Sequence, residues 1–144
     1  MKIIPVTDQT TLEQCLAIRN DVFTVEKQVP KSVEVDEYDC LCDACDHFLV
    51  QVGGENAGAV RCLHRAAHEI QVQRFCLYAR FRGGGTGKAM MEYLAQHYRA
   101  QGFTKLCLDA KFAVSGFYES CGCRVVSEPF IEANVLHVKM EKDL

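Results

Sequence analysis

The sequence predicts an α/β fold: one domain spanning residues 1–144, with a mixed, mostly antiparallel central sheet flanked by helices. Three observations predict it. Short apolar runs of strand type alternate with segments of helical periodicity. A turn signal, Gly53-Gly54-Glu55-Asn56, joins two of those runs into a hairpin. A second glycine-rich turn, Arg82 to Lys88, carries a strand directly into a helix.

The elements follow in order. Lys2 to Val6 reads as a first strand. Thr10 followed by Glu13 forms a capping-box signature, and Leu12, Cys15, Leu16, Arg19, Val22 and Phe23 recur at helical spacing. That helix is expected to run to about Phe23, and Val29-Pro30 breaks any continuation. Lys31 to Asp46 is polar, acidic and rich in cysteine, and reads as a long loop with room for one helical turn. His47 to Val52 and Ala57 to Leu63 are the hairpin strands, and His68 to Leu77 is a third. Met90, Met91, Leu94, Ala95 and Tyr98 line one face of a helix over Ala89 to Tyr98, ended by Gly102. Lys105 to Ala110 is a buried-type strand, and Val114 to Ser120 suits a short helix stopped by Gly122. Cys123 to Val126 and Leu136 to Met140 close the order as a strand pair around a loop containing Pro129.

Composition narrows the function classes. A chain of 144 residues, 49% of them apolar, can bury a real core. A net charge of -3 argues against nucleic acid as a partner, because phosphate neutralisation needs clustered cations. No apolar run reaches membrane-spanning length, and MKIIPVTDQT lacks the long apolar segment of a signal peptide. The expected location is the cytoplasm, with no membrane partner. There the nine cysteines are expected to be thiols, an odd count fitting that better than a disulfide framework.

The turn Arg82-Gly83-Gly84-Gly85-Thr86-Gly87-Lys88 carries most of the functional information. Glycines let a ligand approach the backbone closely. The helix start that follows offers free N–H groups and the positive end of the helix dipole, which suits a phosphate. Arg82 and Lys88 add cations, and Arg80 stands near enough to add a third. The nucleotide P-loop would require Gly at position 82 and Ser or Thr at 89, where Arg82 and Ala89 stand. The dinucleotide fingerprint started at Gly83 or Gly85 puts its third glycine on Lys88 or Met90. The spacing that fits is Arg82-x-x-Gly85-x-Gly87.

That pattern resembles the acetyl-CoA pyrophosphate loop of the GNAT superfamily of N-acetyltransferases, and the predicted element order is the GNAT order. Phe117-Tyr118-Glu119-Ser120-Cys121-Gly122-Cys123 resembles that superfamily's F-Y-x-x-x-G-F signature, with Cys123 in place of the usual Phe. Arg19 to Phe23 with Glu26 and Gln28 resembles the R-x-x-V-F-x-x-E-Q run of the ElaA/YjcF-like branch. The acidic stretch Glu34 to Asp39, Asp46 to Leu49, Pro129 to Glu132 and Val135 to Met140 continue the likeness over nearly the whole chain.

The resemblance implies direct acyl transfer from acetyl-CoA, as co-substrate, to the amine of a small molecule or peptide, with a second copy of the chain as a candidate partner. It implies that the fourth and fifth strands splay and that the pantetheine pairs with the backbone of Phe75, Cys76 and Leu77. Its cofactor contacts map onto Arg82, Gly83, Gly84, Gly85, Thr86, Gly87, Lys88 and Phe117. Lys111 stands where relatives commonly carry Asn or Gln, and a lysine there can reach a CoA carbonyl or phosphate. Tyr118 fits the general acid that protonates the departing CoA thiolate, since a phenol with a pKa of about 10 holds its proton at neutral pH. Glu26 is the first candidate base. Glu34, Asp36, Glu37 and Asp39 could instead attract a cationic acceptor by their field, or simply form a solvated acidic loop.

Two other readings stay open at this stage. A module that binds or senses CoA without turnover would carry the same turn. A cysteine-rich metal or redox protein would use Cys40, Cys42, Cys45 and His47, or Cys62 and His64. C-x-C-x-x-C without a second matching pair is a weak zinc signal, so no metal is expected.

Overall fold

The computed structural model describes residues 1–144 and gathers eight strands into one sheet. The first half of the chain runs β1 (Lys2–Pro5), α1 (Gln9–Arg19), a π-helical turn (Asn20–Glu26), α2 (Lys31–Glu34), β2 (Cys45–Val52) and β3 (Glu55–Ala66). Then come β4 (Glu69–Leu77), a 3-10 turn (Ala79–Phe81), α3 (Thr86–Ala100), β5 (Lys105–Lys111) and a second 3-10 turn (Phe112–Val114). The remainder is α4 (Ser115–Ser120), β6 (Arg124–Val125), β7 (Phe130–Glu132) and β8 (Val135–Asp143). The spatial order is β1-β2-β3-β4-β5-β8-β6, with β7 also paired to β8. Only β4 and β5 run parallel, as expected of two strands joined by the α3 crossover.

The two faces of the sheet bury different helices. Met90, Met91, Leu94, Ala95 and Tyr98 of α3 pack with Phe48, Val60, Ile70, Val72, Leu106, Leu108, Val138 and Met140. Leu94 is fully buried, and truncating such a side chain to Ala typically costs about 2–5 kcal/mol. On the other face Cys15, Ile18 and Val22 meet Leu49, Ala59 and Cys76. Tyr98 is also fully buried, and its hydroxyl donates to Asp46 at 2.6 Å, so its polar tip is satisfied. Gly58 lets β3 and β4 close up. A Cβ there would collide with the Cys76 carbonyl and lie 2.7 Å from Leu77 Cδ2.

Local details differ from the sequence expectation in several places, beginning with α1, which gives way to the π-helical turn at Asn20. The cap of α1 is Asp8, whose carboxylate accepts from the Thr11 N–H at 2.7 Å, so the helix begins before the Thr10 capping box. Helix α3 begins at Thr86, so the last part of the glycine turn is already its first turn. The Pro129 loop contains β7, joined to β8 through Ala133 and Asn134 at φ values of 50° and 63°. Two successive left-handed residues make a tight hairpin without glycine.

Candidate active site

Strands β4 and β5 pair only over Glu69 to Gln71 with Lys105 to Cys107. Past that point β4 stays with β3 and β5 stays with β8 along its whole length, so the two strands diverge toward their C-terminal ends. A bulge in β4 accompanies the divergence: the register shifts between Ala59 and Arg61, and Arg74 sits at φ 51°. An extra residue in one strand kinks it and increases its twist. Phe75, Cys76 and Leu77 therefore border a gap on their β5 side, as the splayed-strand expectation required.

The glycine loop lies at the end of that gap. Gly83 and Gly85 have φ values of 83° and 86°, a region closed to most side chains. A Cβ on Gly83, Gly84 or Gly85 would meet nothing within 4 Å, so the loop backbone is open to a ligand. Gly85 caps α3 and has no side chain to satisfy the first-turn N–H groups; the helical ladder begins with the Ala89 N–H on the Gly85 carbonyl at 3.0 Å. Free N–H groups at the positive end of a 15-residue helix form an anion site. Lys88 is exposed beside them. Arg80 is turned onto Phe81 and Tyr78, with its guanidinium 4.7 and 5.0 Å from the two rings, and lies 3.7 Å from Glu55.

Four of the residues read from the sequence meet around the gap. Phe117 touches the position a Gly87 side chain would take, at 3.1 Å from Cζ. The rings of Phe75 and Phe117 are 6.0 Å apart, those of Phe75 and Tyr118 6.0 Å, and those of Phe117 and Tyr118 5.0 Å. The Tyr118 hydroxyl makes no hydrogen bond within the protein. Burial, and after it the neighbouring Cys123 and Cys121, raise its pKa above the ordinary phenol value, so it keeps its proton at neutral pH. Lys111 lies exposed at the end of β5, in register with His137 of β8. His137 packs on the Phe130 ring at 5.9 Å, and its Nδ1 is 2.8 Å from the Val135 carbonyl.

Glu26 sits on the glycine loop's arginine. Arg82 donates from Nη1 and Nη2 to the two Glu26 carboxylate oxygens at 2.8 and 2.9 Å, and from Nε to the Leu77 carbonyl at 3.0 Å. The hydrogen bond from Arg82 holds the Glu26 carboxyl below the usual carboxylate range. A carboxylate so held is a weaker base than a free one.

The acidic stretch is neither a free field nor a solvated loop. Arg19, fully buried on α1, donates to Glu34 at 2.6 Å and to both Asp39 oxygens at 2.6 and 3.0 Å. Arg61 of β3 donates twice to Asp36, at 2.6 and 2.7 Å, and once to Asp39 at 3.0 Å. Arg74, in the bulge, donates to the Glu34 carbonyl at 3.1 Å. Three arginines and three carboxylates thus pin the 34–39 segment onto the bulged strand. Glu37 alone of the four candidate acids is exposed. The signal was present in the sequence, because Arg19 falls on the apolar stripe of α1, and an arginine buried there demands anionic partners.

The cysteines do not form a metal cluster. All nine are free thiols, and no three His, Cys, Asp or Glu side chains converge as metal ligands. Cys40 and Cys42 are exposed, whereas Cys45 is buried with its thiol toward the Asp46 carbonyl at 3.8 Å. No helix is long and apolar enough to cross a membrane.

The model of the acetyltransferase (GNAT) domain family matches residues 16–144. The uncharacterized protein YyaT of Bacillus subtilis is 31% identical over 144 residues, covering 100% of this chain and 97% of its own. The uncharacterized N-acetyltransferase YjcF of the same organism is 29% identical, covering 99% and 100%. The crystal structure of Escherichia coli ElaA superposes with a TM-score of 0.84 at 22% identity, over 98% of both chains, and shares the fold. With the splayed strands and open glycine loop in place, this chain belongs to the GNAT acetyltransferases and has ElaA/YjcF-like relatives.

Proposed function

We propose that the chain moves the acetyl group of acetyl-CoA directly to the amine of a small molecule or peptide in the cytoplasm. Tyr118 serves as general acid and Glu26 as general base. The observation that carries this reading is the meeting of Phe75, Phe117 and Tyr118 beside Gly87, at the mouth of the gap between β4 and β5.

The chemistry balances as a single displacement. The amine nitrogen forms a bond to the acetyl carbon, and the carbon–sulfur bond breaks. The Tyr118 phenol gives its proton to the departing sulfur, and the proton lost by the amine passes through water to Glu26. General acid help of this kind is typically worth ~10²–10⁴ in rate. The free Tyr118 hydroxyl supports the acid role, since no protein acceptor competes for its proton. Backbone amides of Phe75 to Leu77 give the pantetheine a strand edge to pair with, and the α3 first turn gives the pyrophosphate its N–H groups. Arg82, Gly83, Gly84, Gly85, Thr86, Gly87 and Lys88 form that contact, with Lys111 and Phe117 flanking it.

The test is release of the CoA thiol from acetyl-CoA across a panel of small amines, polyamines, amino sugars and peptides. The reading expects amine-dependent release with at least one acceptor class. Tight CoA binding with no release over the whole panel would make the protein a CoA-binding module instead.

A further inference from the structure

Glu26 and Arg82 come from opposite sides of the sheet. Glu26 ends the π-helical turn that continues α1, which packs on the Leu49, Ala59 and Cys76 face; Arg82 precedes α3, which packs on the other. The π-helical turn is held to the exit of β4 at two points. The Tyr78 hydroxyl donates to Asp21 at 2.7 Å, and Arg82 grips Glu26 through both Nη atoms.

That second tie occupies the arginine that opens the glycine loop. Three of the five guanidinium N–H donors are used, two on Glu26 and one on Leu77. The two that remain give a phosphate a first foothold. The carboxylate nevertheless neutralises the guanidinium and places a negative charge beside a site built for an anion. A pyrophosphate carries more charge than one carboxylate and also collects the free N–H groups of α3, so it has the stronger claim on Arg82.

We propose that Glu26 is the counter-ion of the cofactor loop: its carboxylate and the pyrophosphate of acetyl-CoA compete for Arg82, so that filling the loop frees the carboxylate for the acceptor side. This rests on the acetyl-transfer reading and assigns Glu26 a second role within it. Cofactor affinity is held down by the exchange, and the base becomes available when the donor is bound.

The experiment is calorimetry with acetyl-CoA on the parent, Glu26→Gln, Arg82→Gln and the double variant, with turnover measured alongside. Glu26 and Arg82 are both partly exposed, so the substitutions leave the core untouched. The exchange predicts that Glu26→Gln binds acetyl-CoA about 3- to 10-fold tighter, with a steeper loss of affinity in salt. It predicts that this gain vanishes when Arg82 is already Gln, as a double-mutant cycle reads it, and that turnover of Glu26→Gln falls despite tighter binding. Weaker or unchanged binding by Glu26→Gln in a parent that binds well would overturn the exchange alone, showing Glu26 to be a mere support for Arg82. A parent that does not bind acetyl-CoA would overturn the cofactor loop and the exchange together.

Discussion

Gly87 has no side chain, and Phe117 uses the space: a Cβ there would lie 3.1 Å from Cζ of the ring. Through this contact the first turn of α3 is held against α4, the helix that carries Tyr118. On the proposed function, donor binding and acid placement share one packing contact, and substitutions on either side of it should be felt on both.

The loop variants test the donor half. Gly85→Asp puts a side chain at φ 86° and a negative charge at the α3 N-terminus, and acetyl-CoA binding should be abolished. Gly87→Ala forces the Phe117 ring to move by a few tenths of an ångström and should weaken binding by a smaller factor. Arg82→Ala should lose on the order of 1.5–3 kcal/mol of binding, as for a charged hydrogen bond. Calorimetry on folded variants checks each, and unchanged affinity in Gly85→Asp would contradict the loop's role.

Asp39 tests the buried ion network. Burial would raise its pKa from 3.8, but hydrogen bonds from Arg19 and the Asp36 N–H, with the charges of Arg19 and Arg61, outweigh it and hold the group at about 2. A folded-state pKa below the unfolded value means stability that is fully present above about pH 4 and is lost as pH falls toward 2. Asp39→Asn should destabilise the protein at neutral pH by about 3–5 kcal/mol, because Arg19 and Arg61 keep their burial and lose a charge partner. Urea unfolding from pH 7 to pH 2 should show the gap between parent and variant closing at the acid end.

The thiols divide by exposure. In the native protein Cys40 and Cys42 should react rapidly with a thiol reagent, and the other seven only on unfolding, all nine being free. Cys40→Ser and Cys42→Ser should leave thermal stability within about 0.5 kcal/mol of the parent, as surface changes usually do. Cys45→Ser should cost more, because it trades a buried thiol for a hydroxyl. Native thiol titration and thermal melts check both halves.

The glycine-rich strand-to-helix turn is legible in the sequence because its constraints are local. Glycines at φ values near 85° and a helix start leave their mark within seven residues, and Arg82, Gly85 and Gly87 could be read there. The splay came from family resemblance and not from the residues themselves. Its bulge places Arg74, not a glycine, in the left-handed region, so no turn residue announces it. The partners of Arg19 lie 15 and 20 residues away, Glu34 at the end of the one-turn helix α2 and Asp39 in the loop after it, and only the folded chain brings them together. The β7–β8 hairpin has no local signature for a similar reason, since Ala133-Asn134 lacks the glycine that usually marks such a turn. The motif around Glu26 marks it as a candidate base, but its grip on Arg82 spans 56 residues and has no local signature.

The central claim is that this fold brings a proton donor to the departing CoA sulfur, and Tyr118→Phe isolates that donor. The change removes one hydroxyl that has no partner in the protein, so packing and acetyl-CoA affinity should stay close to the parent's. The decisive measurement is steady-state turnover of Tyr118→Phe against the parent with an identified amine acceptor. The account predicts a fall in kcat of ~10²-fold or more with acetyl-CoA binding retained, the pattern of an interaction made in the transition state. Full activity in the Phe variant would contradict it and leave the departing thiolate to be protonated by another group.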